Sequence, residues 1–155
     1  MPTRRNLLSG SAQVAALLAA AGLLPGIAQG QAAGYSTAAF EAKSVAEALK
    51  ALGAAAPAES KDVVITGPDI AENGAVVPVG ASTTLAGVKR LLLLVDKNPA
   101  VLSAMFEVGD AVEPNFLTRV KMGQTSSVYA VAMMADGRVL FAQKEVKVTL
   151  GGCGG

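Results

Sequence analysis

Apolar and polar residues alternate in the last third of the chain. Residues 116–122 read FLTRVKM, and residues 145–150 read EVKVTL. Because successive side chains of a strand point to opposite faces of a sheet, both segments predict β-strands with one mainly apolar face. The second of these strands leads directly into Gly151.

Short apolar or β-branched runs separated by turn residues fill the middle of the chain. They lie at residues 63–66, 76–79, 91–95, 102–108, 127–134 and 139–142. The run at 91–95 contains no polar residue, which indicates a strand buried on both faces or central in a sandwich. Many short strands with frequent turn signals are typical of an antiparallel β-sandwich.

Three positions in these runs carry specific backbone expectations. Asn73-Gly74 and Asp136-Gly137 are dipeptides that favour two-residue turns, so each predicts a β-hairpin between the runs on either side. Pro78 has no backbone N–H to donate to a neighbouring strand, which predicts that its strand lies towards the edge of a sheet.

Residues 38–52 predict one amphipathic helix before the strands begin. The segment is rich in Ala, Glu and Lys, which favour helix. Its apolar face is formed by Val45, Leu49 and Leu52, at the spacing of helical turns. Ser36 or Thr37 can cap its start, and Gly53 suits the position just after its end.

The N-terminus resembles a twin-arginine export signal. Arg4 and Arg5 precede an apolar stretch at 14–24, and the small residues that follow suit cleavage after Gly30 or Ala32. The apolar stretch is shorter than the roughly 20 residues that span a bilayer, so an uncleaved membrane anchor is the less favoured alternative. We expect export to the periplasm.

The length of 155 residues fits a single folded domain with appended segments. We expect a signal peptide at 1–32, a helix and linker at 33–60, a β-sandwich at 61–150 and a C-terminal arm at 151–155.

Composition excludes several classes of function. The chain has no histidine and one cysteine, which excludes a histidine-based catalytic triad, a histidine metal site, a histidine-ligated haem and an internal disulfide framework. Loss of Arg4 and Arg5 with the signal would lower the formal net charge from +1 to −1. This charge favours neither nucleic acid nor an anionic membrane as a partner.

The single cysteine, Cys153, stands between two pairs of glycines near the C-terminus. The pairs are Gly151 with Gly152, and Gly154 with Gly155. Glycine has no Cβ and adopts conformations that other residues avoid, so we predict a flexible arm. Five extended residues reach about 16–18 Å, which would let the thiol enter a pocket of another protein.

The surroundings of Cys153 in sequence do not activate its thiol. A thiol reacts as its thiolate, but the tail has no basic residue and its terminal carboxylate disfavours a second negative charge. We therefore expect no catalytic residue and no cofactor in this chain. Copper binding through Met133 and Met134 is disfavoured, because adjacent strand residues face opposite sides of the sheet.

Four segments of the chain form a recognisable combination: the paired arginines, residues 70–79 (IAENGAVVPV), residues 118–122 (TRVKM) and the ending at 145–155 (EVKVTLGGCGG). This combination gives the chain a resemblance to the SoxY family of sulfur carriers. It implies an immunoglobulin-like β-sandwich and a covalent attachment of sulfur intermediates to Cys153. It also implies a stable heterodimer with SoxZ and transient visits to the SoxAX cytochrome, to SoxB and in some systems to SoxCD.

The resemblance leaves the preferred sulfur cargo and the presence of SoxCD open. The alternative function is a periplasmic structural or interaction domain whose tail cysteine only forms disulfides between chains. An unpaired cysteine in an exported protein is compatible with both functions.

Overall fold

The computed structural model describes residues 36–149, which form two short helices and nine strands. The helices are α1 (Thr37–Glu41) and α2 (Val45–Ala51). The strands are β1 (Ala58–Glu59), β2 (Val63–Thr66), β3 (Ile70–Ala71), β4 (Val77–Thr83), β5 (Val88–Val95), β6 (Leu102–Glu107), β7 (Asn115–Val120), β8 (Ser126–Met134) and β9 (Val139–Val148).

The strands form two sheets. The larger sheet has the order β1-β9-β8-β5-β6, with β3 also paired to β9, and the smaller sheet has the order β2-β4-β7. All pairs are antiparallel except β1 with β9 and β3 with β9. The predicted all-β, immunoglobulin-like sandwich is confirmed.

Strand β5 lies between β8 and β6 in the larger sheet and is buried on both faces. Leu91 and Leu93 pack in the core between the two sheets, whereas Leu92 and Leu94 pack in a second core beneath the helices. All four side chains are fully buried, which agrees with the uninterrupted apolar run. Because successive side chains point to opposite faces of a strand, β5 contributes to both cores.

The helical segment is two helices, and the prediction of one continuous helix is wrong. Ala42 leaves the helical conformation, and its carbonyl accepts a hydrogen bond from the Val101 N–H at 3.2 Å. Ser44 then caps α2, accepting from the Glu47 N–H at 3.2 Å. This Ser-x-x-Glu spacing is a helix-start signal, so the sequence itself indicates that a new helix begins after Ser44.

The predicted end of the helical segment is confirmed. Gly53 has a φ of 68°, in the left-handed region. Its N–H donates to the Lys50 carbonyl at 3.0 Å, and the next N–H, from Ala54, donates to the Leu49 carbonyl at 2.9 Å. This is the paired hydrogen-bond pattern of a Schellman ending.

One of the two predicted hairpins is present. Strands β8 and β9 form a hairpin around Asp136-Gly137, closed by the Met134 N–H donating to the Arg138 carbonyl at 2.9 Å. The loop is one residue longer than the dipeptide predicts, because Gly137 takes a φ of 88° after the turn.

The hairpin predicted at Asn73-Gly74 is absent. β3 pairs with β9 in the larger sheet, whereas β4 belongs to the smaller sheet, so the turn connects strands that do not pair with each other. A local turn signal reports where the chain bends, but not which strand it will pair with.

The prediction that the strand of Pro78 lies towards a sheet edge is also wrong, because this strand, β4, is the central strand of its sheet. Pro78 nevertheless lies past the last pair of β2 with β4, which is Thr66 with Gly80, and only β7 is paired beside it. Its missing N–H therefore interrupts no pairing with β2.

Candidate functional site

The predicted site residues lie outside the described part of the chain. These are Cys153, Gly151, Gly152, Gly154 and Gly155, and the same holds for the signal residues Arg4 and Arg5. The described chain ends at Thr149, four residues before Cys153. The geometry of the site is therefore that of the end of β9, from which the predicted arm continues.

Strand β9 extends beyond its pairing with β8. The last pair of the two strands is Ser126 with Val146. Beyond it, the backbone N–H of Val148 donates to the Oγ1 atom of Thr125 at 3.0 Å. A side-chain oxygen thus continues the row of acceptors where the neighbouring strand has ended.

The opposite edge of β9 is held by β3. Ile70 pairs with Lys147 and Ala71 pairs with Val148, in parallel. The Lys147 N–H donates to the Asp69 carbonyl at 2.9 Å, and the Thr149 N–H donates to the Ala71 carbonyl at 3.1 Å. The backbone N–H groups of three consecutive residues therefore have partners, alternating between the two edges of the strand.

Lys144 attaches the segment before β3 to the body of β9. Its Nζ atom lies 2.9 Å from Oδ1 of Asp69 and donates to the Gly67 carbonyl at 2.6 Å. The residues two positions before and after it, Ala142 and Val146, belong to the core between the sheets, so alternation places Lys144 on that face. Its side chain is 31% exposed, which fits a lysine whose stem is covered while its ammonium reaches the rim.

The ion pair changes the acidity of its carboxylate. The hydrogen bond from Lys144 and the positive charge of that residue lower the pKa of Asp69, with a smaller contribution from the charge of Lys147 and partial opposition from desolvation. Asp69 is therefore ionised at neutral pH and keeps its attraction to Lys144.

Gly74 brings the loop after β3 against the same strand end. Its carbonyl accepts from the Met122 N–H at 2.7 Å, and a Cβ atom at this position would collide with the Met122 carbonyl oxygen and lie 2.8 Å from Cγ1 of Val148. The glycine is required by close approach of the backbone. We call residues 67–74, Thr125 and Lys144 together the exit clamp, because they surround residues 147–149.

Sequence reasoning missed the exit clamp. The signal for Lys144 was present, since a lysine interrupts the apolar series at 140, 142, 146 and 148. Its partner at Gly67 is 77 residues away, and no local pattern connects two such positions.

Residues 36–149 contain neither a metal-binding cluster nor an unpaired buried polar side chain. No group of three or more acidic or cysteine side chains within residues 36–149 could hold a metal ion. In the same range, every buried polar side-chain atom has a hydrogen-bond partner. No helix in this part of the chain has the length and apolar character needed to cross a membrane.

The outer face of the β2-β4-β7 sheet is a second candidate for function. Leu117 on β7 is 71% exposed and Val64 on β2 is 50% exposed, whereas Gly80 lies between Thr66 and Leu117 in the register of the sheet. Arg119 and Thr66 are also exposed on this face. This outer face is therefore a partly apolar surface with a basic residue beside it.

Comparison with known proteins relates most of the chain to one family. Residues 48–153 match the family model described as sulfur oxidation protein SoxY. The solved structure of the sulfur carrier protein SoxY from Chlorobium limicola f thiosulfatophilum is 31% identical, with a TM-score of 0.60, covering 66% of this chain and 92% of that chain. No curated protein sequence matches this chain.

A more distant likeness concerns the fold alone. Superoxide reductase (neelaredoxin) from Ignicoccus hospitalis is 18% identical, with a TM-score of 0.51, covering 56% of this chain and 80% of that chain. The SoxY match, by contrast, spans more than half of the chain and ends at residue 153. The chain therefore belongs to the SoxY family of sulfur oxidation proteins.

Proposed function

We propose that this protein carries sulfur intermediates covalently on the thiol of Cys153. The supporting observation is the SoxY family match, which extends to residue 153, in a chain with one cysteine. The glycines on both sides of Cys153 lower the steric barriers of the backbone, and they let the thiol enter sites on other proteins.

The loading step joins the thiol to thiosulfate by oxidation. The S–H bond of Cys153 is lost and a bond forms between its sulfur and the sulfane sulfur of thiosulfate, releasing one proton and an electron pair. The electron pair passes to a c-type cytochrome, which the family resemblance identifies as SoxAX. Water then hydrolyses the terminal sulfonate as sulfate in a step assigned to SoxB, and leaves a persulfide on the carrier.

This protein contributes attachment and presentation, and its partners contribute the chemistry. No basic residue lies between Lys147 and Gly155, so no neighbour of Cys153 in the sequence favours its thiolate. The partner that takes up the arm must therefore supply the base or the oxidant. Where SoxCD is present, it oxidises the sulfur that remains on the carrier.

The stable partner in this proposal is SoxZ, and its contact surface is the outer face of the β2-β4-β7 sheet. Exposed apolar residues on a sheet face are typical of an interaction surface. Leu117 and Val64 supply apolar area on this face, and Arg119 supplies a charged group next to it.

The site of action in this proposal is the periplasm. Residues 1–32 act as a twin-arginine signal that is cleaved after Gly30 or Ala32. Twin-arginine transport accepts folded cargo, which suits a carrier that crosses together with its partner.

The test of the carrier function is the intact mass of the mature protein after incubation with thiosulfate and the partner cytochrome. We expect a mass increase equal to one bound thiosulfate, and no increase for Cys153→Ser. The variant should keep its free energy of unfolding, since residue 153 lies beyond the last strand of residues 36–149, while thiosulfate oxidation is abolished. Near-normal oxidation by Cys153→Ser, or a disulfide-linked dimer as the sole product, would contradict the proposal.

A further inference from the structure

We propose that the exit clamp positions the thiol of Cys153 by fixing the point at which the arm leaves the sandwich. This inference rests on the proposed carrier function, because it concerns how that thiol is presented. It assigns a positioning role to Thr125, Lys144 and Asp69, none of which reacts with sulfur.

The end of β9 is hydrogen-bonded on both of its edges. Terminal residues of a strand that has lost its neighbour are expected to fray. Here the N–H of Val148 is bound by Thr125 on one edge, and the N–H groups of Lys147 and Thr149 are bound by residues 69–71 on the other. The last three residues of the described chain are therefore held from both edges.

The exit clamp is built from distant parts of the chain. The 67–74 segment leaves the β2-β4-β7 sheet, pairs with β9 through β3 and returns to the same sheet. Two long-range contacts hold it there: Lys144 with Asp69 and Gly67, and the Gly74 carbonyl with the Met122 N–H. The strand β3 itself has only two residues, so these contacts stabilise its pairing.

Only a short length of chain separates the exit clamp from Cys153. Cys153 lies four residues beyond Thr149, so its extended reach from the clamp is about 13–14 Å. If residues 147–149 detached, Cys153 would lie seven residues beyond the last held residue, Val146, and its reach would be roughly 23–25 Å. The local concentration of the thiol at a docked partner's site would then fall by about twofold for a flexible chain, or by about fivefold if it scales with the volume within reach.

The test compares two substitutions at Thr125 in the full mature protein. Thr125→Val removes the acceptor oxygen with little change in shape, and Thr125→Ser retains it. Because Thr125 is exposed, neither substitution disturbs the core. Asp69→Asn is a second, independent variant that removes the charge paired with Lys144.

Three measurements are made on each variant: hydrogen exchange of the amides at 147–149, alkylation of Cys153 by iodoacetamide, and the kinetics of thiosulfate loading with the partner cytochrome. For Thr125→Val we expect amide exchange to rise about tenfold, KM for the carrier to rise about two- to fivefold, kcat to change less, and the alkylation rate to stay the same. Thr125→Ser should show the amide exchange and the KM of the unsubstituted protein.

Two results would overturn the positioning role. One is faster amide exchange in Thr125→Val and Asp69→Asn with KM unchanged, which would make the clamp purely structural. The other is unchanged exchange in both variants, which would mean that these contacts do not hold the strand end. Failure of the carrier function is a separate result, seen as thiosulfate oxidation that survives Cys153→Ser.

Discussion

The larger sheet carries α1 and α2 on its outer face, whereas no described element between residues 36 and 149 covers the outer face of the β2-β4-β7 sheet. Leu92 on β5 is fully buried beneath the helices, and Leu117 on β7 is 71% exposed. The two leucines belong to strands of the same sandwich, but only the first has exchanged water for protein contacts. Burial of apolar area stabilises a fold by about 25 cal/mol per Å², so Leu92 stabilises the fold while Leu117 is free to contact a partner.

The difference between the sheets separates two tasks in the proposed carrier. Strand β9, which leads to Cys153, belongs to the covered sheet, whereas the proposed SoxZ surface lies on the other sheet. We expect the stable partner to remain bound while the arm visits other enzymes, because the two regions do not share a face.

The largest effect should come from the covered sheet. We expect Leu92→Ala to lower the free energy of unfolding by about 2–5 kcal/mol, the range for a leucine truncated in a packed core. Chemical denaturation monitored by circular dichroism measures this loss. Leu117→Ala is the matched control and should change it by no more than about 0.5 kcal/mol; equal losses in the two variants would remove the distinction between the sheets.

A smaller effect is expected for partner binding at the uncovered sheet. Leu117→Thr keeps a residue that favours strands but removes apolar contact area, and we expect the Kd for SoxZ to rise about tenfold, or roughly 1.4 kcal/mol. Isothermal titration calorimetry measures this change. Val112→Thr, an exposed valine outside the sheets, should leave the Kd unaltered, and a similar rise in both variants would argue against this face as the partner surface.

The smallest effect is expected from the loss of the Lys144–Asp69 ion pair at low pH. Because Lys144 lowers the pKa of Asp69 in the folded protein, the ion pair should contribute fully above the ordinary aspartate value of 3.8 and be lost as the pH falls through the lowered pKa. We therefore expect amide protection at 147–149, corrected for intrinsic exchange, to hold down to about pH 4 and to decline below it. Asp69→Asn should be less protected at neutral pH and lack this decline; an identical acid profile in both proteins would show that other carboxylates are responsible.

Local patterns in the sequence predicted much of the fold. The apolar run at 91–95 indicated a strand buried on both faces, and Gly53 indicated a helix end, because each depends on neighbours in the chain. The Asp136-Gly137 hairpin was predicted for the same reason. The role of Cys153 remains a prediction from the sequence and from family membership.

Tertiary structure alone decided which segments meet. Three features join parts of the chain that are far apart in sequence: the pairing of β3 with β9, the central place of β4 in its sheet, and the close approach of Gly74 to Val148. The contact of Lys144 with the loop before β3 spans 77 residues. Periodicity reports which face of a strand is buried, but it carries no information on which strand lies beside it, and the exit clamp exists only through that choice of neighbours.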